Sequence, residues 1–394
     1  MPIISFETVN SCVLQGLDSV LTFYNKFVIM GSNCEGVSNV ITISEYTKGL
    51  LDDIESRIDP GAEDDYFAQW MDFWYGESND GIFTPKRNKL SNPSFALKNI
   101  PINDALESTE LMLCHQLEAV SRSLASPTAA LTVRANYGTG IMSSLFGAEI
   151  FVMPAHTNTL PTTKAFNDSD KIRQLISKGM PDIKGGFGGN VFDFGELYLD
   201  VIKSYPKISK YVLMYHPDCQ GPLDIAELTW GSEMFYEMYD DPDFVHEFMK
   251  LVTDTYKAFM NGWFKLYQPR SDLNAHWDML MKGNILVRDD SAMNLSPEFY
   301  TEFALKYDAE LLNYFGGGVM HYCGKGDHFV PILAKEKALT AINLSQPHLN
   351  DMDIIFKAAY DNGKKIIGFP PKEVSAYKQK MDSVCGTVHS NCRI

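Results

Sequence analysis

Residues 296–324 read SPEFYTEFALKYDAELLNYFGGGVMHYCG, and the order of signals in this stretch decides the fold. Ser296-Pro297 opens a helix, because a serine hydroxyl can cap the first turn and proline suits its fixed φ. Phe299, Phe303, Tyr307 and Leu311 then recur at steps of four, as a helix face that packs on a core does. Gly316-Gly317-Gly318 stops the helix and leads at once into the apolar run Val319-Met320-His321. Helix, glycine stop and buried strand together form the unit of a parallel α/β fold, whose strands are covered on both faces and so read as apolar throughout.

The unit recurs on both sides. Short apolar runs at Ala130–Asn136, Ile150–Pro154, Tyr211–Tyr215, Ile285–Val287, Gly318–Tyr322, Leu339–Leu344, Lys365–Gly368 and Gly386–Ser390 alternate with longer helical stretches. Asp241-Pro242 opens a second well-signed helix through Phe244, Phe248, Val252, Tyr256, Phe259 and Trp263. Eight strands in this order predict a (β/α)8 TIM barrel over residues 126–394. Residues 1–125 read instead as helices: Ser44–Ile58, a segment through Phe67, Trp70 and Trp74, and Asn103 to Ala125. They predict an N-terminal helical extension, with 76–93 as loop. The predicted fold class is therefore α/β, a barrel with a helical extension.

Composition limits the partners. The chain has 394 residues, 45% of them hydrophobic, which allows a large core. Lys plus Arg is 34 against 50 for Asp plus Glu, a formal net charge of −16. So acidic a chain repels phosphate backbones, and nucleic acid is not expected as a partner. No apolar run reaches the roughly 18 residues of a bilayer span, and MPIISFETVN lacks the basic and apolar regions of a signal peptide. The expectation is a cytoplasmic protein with no membrane association and a small-molecule substrate. Seven cysteines, an odd number, argue against a disulfide framework.

Polar residues at the C-terminal ends of barrel strands face the active site. Arg134, Asn136 and Tyr137 follow the first strand and are candidate substrate contacts. His216 and Asp218 follow Tyr211–Tyr215 and resemble a proton-handling pair. Asp289 and Asp290 follow Ile285–Val287. Adjacent carboxylates repel, so at most one points inward, and Asp290 is the candidate for catalysis or metal ligation. His321 and Cys323 are two residues apart on a strand and so project to one side. An imidazole and a thiolate so placed can grip one zinc ion. A third ligand must come from elsewhere, and both Cys392 and Cys385 are candidates. His246 and His276 read as surface or core histidines.

The residues also carry a resemblance. Tyr215-His216-Pro217-Asp218-Cys219-Gln220-Gly221-Pro222, then Asp289-Asp290-Ser291 with Ser296-Pro297-Glu298-Phe299, then His321-Tyr322-Cys323-Gly324, resemble motifs of the uroporphyrinogen decarboxylase family. The match covers residues 200–350 well and 130–200 loosely. It implies a (β/α)8 barrel and either of two chemistries. One branch decarboxylates a tetrapyrrole and carries an R-Q-A-G-R-Y loop, which this chain lacks. The other is a set of zinc-dependent methyltransferases that move a methyl group from a corrinoid, carried by a partner protein, to a thiol such as coenzyme M. That branch implies His321, Cys323 and, more loosely, Cys392 as zinc ligands, and is compatible with a homodimer. Left open are a decarboxylase or lyase using Asp290 and His216, and a non-catalytic ligand-binding protein.

Overall fold

The computed structural model describes residues 43–76 and 81–391. Cys392 lies outside the described residues. The described chain begins with two capped helices. Ser44 caps Glu45–Arg57 by accepting the Thr47 N–H, and Asp59 caps Pro60–Tyr75 by accepting that of Ala62. The predicted single helix from Asn103 to Ala125 is two pieces, Ile102–Ala105 and Thr109–Ser123. Ser108 caps the second piece, an interaction worth about 1 kcal/mol.

Ten strands follow: β1 (Thr132–Val133), β2 (Glu149–Phe151), β3 (Thr162–Lys164), β4 (Leu213–Met214), β5 (Leu273–His276), β6 (Met279–Lys282), β7 (Ile285–Arg288), β8 (Gly318–Tyr322), β9 (Leu339–Leu344) and β10 (Lys365–Ile366). The backbone of the unit read first is as expected, with Ser296 as the cap and β8 directly after the glycines. One departure is a π-helical segment at Tyr300–Leu305, between helical Pro297–Phe299 and Lys306–Tyr314.

β7, β8, β9 and β10 form one parallel ladder. Parallel bridges continue it from Ile366 to Val388 and from His389 to Phe83. Phe83 therefore belongs to the arc, although its surroundings read as loop. β1 and β4 make a separate parallel pair. Among the described residues these ladders do not join into a closed ring. The expected strand at Ile150–Pro154 is also different: β2 pairs antiparallel with β3. Glu149 and Phe151 are exposed there, so the segment lacks the two covered faces of a parallel strand.

The two faces of the arc pack differently. Ile285, Val287, Met320, Ile342 and Leu344 belong to the large cluster shared with the helices. The alternate residues Leu286, Val319, Ala341 and Ile367 join a second cluster with Leu213 and Tyr215 of the β4 segment. Beside Tyr66, Trp70, Phe73 and Trp74 of the Pro60–Tyr75 helix, that second cluster holds Leu273, Ala275, Met279, Leu280 and Met281. They come from the antiparallel hairpin β5–β6, so this hairpin fills the space that strand side chains alone would fill in a barrel. At its base, Gly283 (φ +106°) passes so close to Gly317 that a Cβ would stand 2.5 Å from the Gly317 carbonyl oxygen. At its tip, Trp277 has φ +50°, a left-handed conformation that costs a non-glycine residue about 1–2 kcal/mol. The Trp277 carbonyl accepts the Thr132 hydroxyl and the Asp278 carbonyl accepts the Ala130 N–H (2.8 Å), which ties the tip to the β1 segment.

Candidate functional site

Register and alternation build the site in rows. Arg288 pairs with His321, and His321 with Asn343, across β7, β8 and β9. These three stand two residues beyond Leu286, Val319 and Ala341, so they share the hairpin-facing side. Asp290, Cys323 and Ser345 lie two residues further on, at the C-terminal end of the same strands.

Within these rows three ligating atoms converge. His321 Nε2 is 3.5 Å from Cys323 Sγ and 3.6 Å from Asp290 Oδ1. All three atoms lie within 4.8 Å of one another. Tetrahedral bonds of 2.0–2.3 Å place ligand atoms about 3.3–3.8 Å apart, so the imidazole nitrogen stands at zinc-like spacing from both the thiol sulfur and the carboxylate oxygen, which themselves lie within 4.8 Å of each other. Cys385 is not among them. It lies at the end of the Val374–Ser383 helix, exposed, with its thiol on the Asp382 carbonyl.

The surroundings orient each ligand. Asn343 Nδ2 donates to the Ile367 carbonyl at 2.6 Å, which turns its Oδ1 toward His321. His321 Nδ1–H donates to that oxygen at 2.5 Å, leaving Nε2 as the free lone pair. The Cys323 N–H donates to Asp290 Oδ1 at 2.6 Å. Asp224, on the Pro222–Trp230 helix, accepts the N–H groups of Asp290 (3.1 Å) and Ser291 (2.8 Å). Burial, and then the negative charge of Asp290, push the Asp224 carboxyl up to about 7. The same two causes push the Cys323 thiol up to about 11. A cation between these groups would reverse both effects. Burial also holds His321 below its ordinary value, against the pull of Asp290.

Asp289 points the other way. It is 1% exposed and meets the buried Asp308 of the Lys306–Tyr314 helix. Burial and the Asp308 charge raise it well above the carboxylate range. The two adjacent aspartates thus diverge, as their repulsion requires.

A second polar group lies beside the first. Arg134 Nη1 donates to Asp218 Oδ2 at 2.6 Å, and Arg288 Nη2 contacts Asp218 Oδ1. Burial works to raise the Asp218 carboxyl, but the Arg288 and Arg134 charges outweigh it and hold the group low. Asp218 is a carboxylate in an ion-pair network and carries no proton to donate. Its expected partner in proton handling differs as well. His216 Nδ1–H donates to the Pro217 carbonyl (2.8 Å), and Nε2 accepts the Leu286 N–H (2.8 Å). No ring nitrogen remains for a substrate, and burial pushes His216 down to about 4. The pair read as proton-handling is a structural strap joining β4 to β7, where the backbone ladder is interrupted.

Of the candidate substrate contacts, Arg134 reaches this site. Tyr137 does not: it is 1% exposed and packs against Phe187, the rings tilted at a centroid distance of 5.5 Å. Thr109 and Asp193, on two outer helices, act on its hydroxyl, whose value burial raises to about 12. Asn136 is 7% exposed and its Oδ1 has no partner among the described residues. His276 is fully buried on β5, packed against His216 and Tyr215 at 4.7 and 4.8 Å. Sequence reading passed over Asn343, Asp224 and Trp277. Asn343 was findable, because it interrupts the apolar strand LTAINL two residues after Ala341. Trp277 was not, because the turn Trp277-Asp278 carries none of the glycine signals of a two-residue hairpin.

No protein-family model and no curated protein matches the chain. Among solved structures it is similar to a methyltransferase from Methanosarcina mazei, with a TM-score of 0.57 and 12% identity over 83% of this chain and 92% of that one. At that identity the likeness is one of fold. No described helix is long and apolar enough to cross a membrane.

Proposed function

We propose that this protein is a (β/α)8-barrel methyltransferase, in which Asp290, His321 and Cys323 hold a zinc ion and a small thiol accepts a methyl group from a corrinoid carried by a partner protein. The observation that carries the reading is the convergence of His321 Nε2, Cys323 Sγ and Asp290 Oδ1. The shared fold with a methyltransferase supports it. In this reading the barrel is built from residues 126–391 together with Phe83, its circle completed through the β1–β4 pair, and the helices between residues 43 and 125 are its extension; residues 1–42 and 392–394 of the expected ranges lie outside the described residues.

A bound zinc ion supplies the positive charge that makes a thiol acidic enough to be a nucleophile near neutral pH. The chain's own residues do the rest. Asn343 keeps the His321 lone pair directed at the site. Asp290 adds a negative donor and fixes the backbone of Cys323. Three protein ligands leave one position for the acceptor, the arrangement of a catalytic rather than a structural zinc. Cys392, which lies outside the described residues, is in this reading the alternative to Asp290 as the third protein ligand.

The test is methyl transfer from free methylcobalamin to a panel of small thiols by zinc-loaded protein. The expected result is thiol methylation that drops at least 100-fold in His321→Ala and in Cys323→Ala. Turnover that persists in both variants, or no methylation of any thiol by zinc-loaded protein, contradicts the reading.

A further inference from the structure

The network of Arg134, Arg288 and Asp218 is charged in a way that methyl transfer on a metal does not use. Two guanidinium groups share one carboxylate, with Asp218 only 3% exposed. The adjacent His216 is neutral near pH 7, and so is His276, held far below its ordinary value chiefly by burial. The network therefore carries one net positive charge. A cation in such a place is costly unless something compensates it.

The N–H groups not committed to Asp218 show where compensation can come from. Arg288 Nη2 also faces His276 Nε2 at 3.3 Å. Among the described residues, Nε and Nη2 of Arg134 and Nε and Nη1 of Arg288 make no hydrogen bond to a protein acceptor. Their side chains are 14% and 11% exposed. Two guanidinium groups are thus held in place by a shared carboxylate and keep open donors. The planar donor fork of arginine matches a carboxylate better than a point charge does.

Trp277 adds the floor. Its half-buried indole lies 4.6 Å from the Arg288 guanidinium carbon and packs its edge against His321, with centroids 5.1 Å apart. The hairpin occupies the depth of the fold below it. A ligand here must be small, and it would lie one strand from His321.

We propose that Arg134 and Arg288 form an anion subsite for a carboxylate group on the substrate, beside the candidate metal group and over Trp277. The placement rests on the methyl-transfer reading only in treating His321 as part of the reacting centre; the anion site itself does not need the metal.

Metal-free protein, prepared with a chelator, is titrated at constant ionic strength with sodium acetate, inorganic phosphate or sodium chloride while tryptophan fluorescence is followed. The other four tryptophans are 0–8% exposed, and Trp277→Phe identifies the responding residue. The expected result is a saturable change with acetate, absent with chloride and lost in Trp277→Phe. Affinity should fall at least tenfold in Arg288→Gln and several-fold in Arg134→Lys, which keeps the charge but loses the fork. No saturable change with acetate, or an acetate affinity unchanged from wild type in both arginine variants, overturns the subsite. A tenfold preference for phosphate overturns its assignment to carboxylates. Acetate binding without metal would stand even if zinc were never bound, so failure of the methyl-transfer reading and failure of this one are separable. If Arg288→Gln does not fold, Arg134→Lys alone decides.

Discussion

The arc from β7 to β10 and the sector around β1, β4 and the β5–β6 hairpin are built on opposite terms. In the arc, backbone pairs with backbone, with one register shift at Gly318–Val319, and from there side chains alternate to the C-terminal ends of the strands. The polar residues at its C-terminal end, His321, Cys323 and Asp290, are then free to converge on something other than the protein. In the other sector the ladder is broken, and side chains do the joining. His216 takes the Leu286 N–H, Asp218 ties Arg134 to Arg288, and Thr132 holds the hairpin tip. The difference teaches how to weigh a polar residue at a strand end. Where the backbone is satisfied by its own ladder, such a residue is available for chemistry; where the ladder is interrupted, it is consumed in replacing it.

Four changes test this contrast. The largest effect is expected in the hairpin core. Leu280→Ala removes a fully buried side chain and should cost about 3 kcal/mol in denaturant unfolding, as much as a core leucine elsewhere. A cost below about 1 kcal/mol would put the hairpin at the surface and end the comparison.

Next comes a pair of histidines. His216→Ala leaves a buried N–H without an acceptor and should cost about 2–3 kcal/mol while leaving metal affinity unchanged. His321→Ala should do the reverse, abolishing metal binding with little loss of unfolding free energy. If the two phenotypes are exchanged, the roles assigned here are exchanged with them.

The third change is Asn343→Ala, which frees the His321 ring without touching a ligand atom. Zinc affinity measured by competition with a chromophoric chelator should fall about 10–100-fold. An unchanged affinity would mean that the Nδ1 hydrogen bond does not set the orientation of the ring.

The smallest effect is a pH slope. The His216 value of about 4 in the folded protein lies below the ordinary 6.5. The unfolded chain therefore binds the proton first, and stability is lost as pH falls from about 6.5 toward 4, by at most about 1.4 kcal/mol per unit. Asp224, raised to about 7, acts in the opposite sense over an overlapping range. The check is the difference between wild type and His216→Ala in unfolding free energy at pH 7, 6 and 5. The gap should narrow as pH falls, and a constant gap would show that His216 is not held neutral.

The same contrast explains what the sequence makes legible. Boundaries of β8 and β9 agree with the apolar runs Gly318–Tyr322 and Leu339–Leu344, because a doubly covered parallel strand is apolar at most of its positions, His321, Thr340 and Asn343 being the exceptions here. That His321 and Cys323 share a side follows from the period of two alone. The hairpin is not legible, since Leu273–Lys282 packs among strands that are distant in sequence and its turn carries a tryptophan in a glycine conformation. The β2 segment misleads because Ile150–Pro154 is apolar in composition but lies in an exposed two-stranded hairpin. His216 and Asp218 mislead for a different reason. A histidine and an aspartate two residues apart look the same whether they move protons or replace missing backbone bonds, and the neighbours that decide it, Leu286 and Arg288, are some 70 residues away in the chain.

The central claim is that Asp290, His321 and Cys323 hold one metal ion. X-ray absorption at the zinc edge, on protein dialysed against zinc and freed of excess, tests it most directly. The account predicts one equivalent of zinc with a sulfur at about 2.3 Å and nitrogen or oxygen neighbours at about 2.0–2.2 Å, with the sulfur contribution reduced in Cys323→Ala. Protein that is folded by circular dichroism yet retains no zinc, or a zinc spectrum unchanged in both Cys323→Ala and His321→Ala, would contradict it.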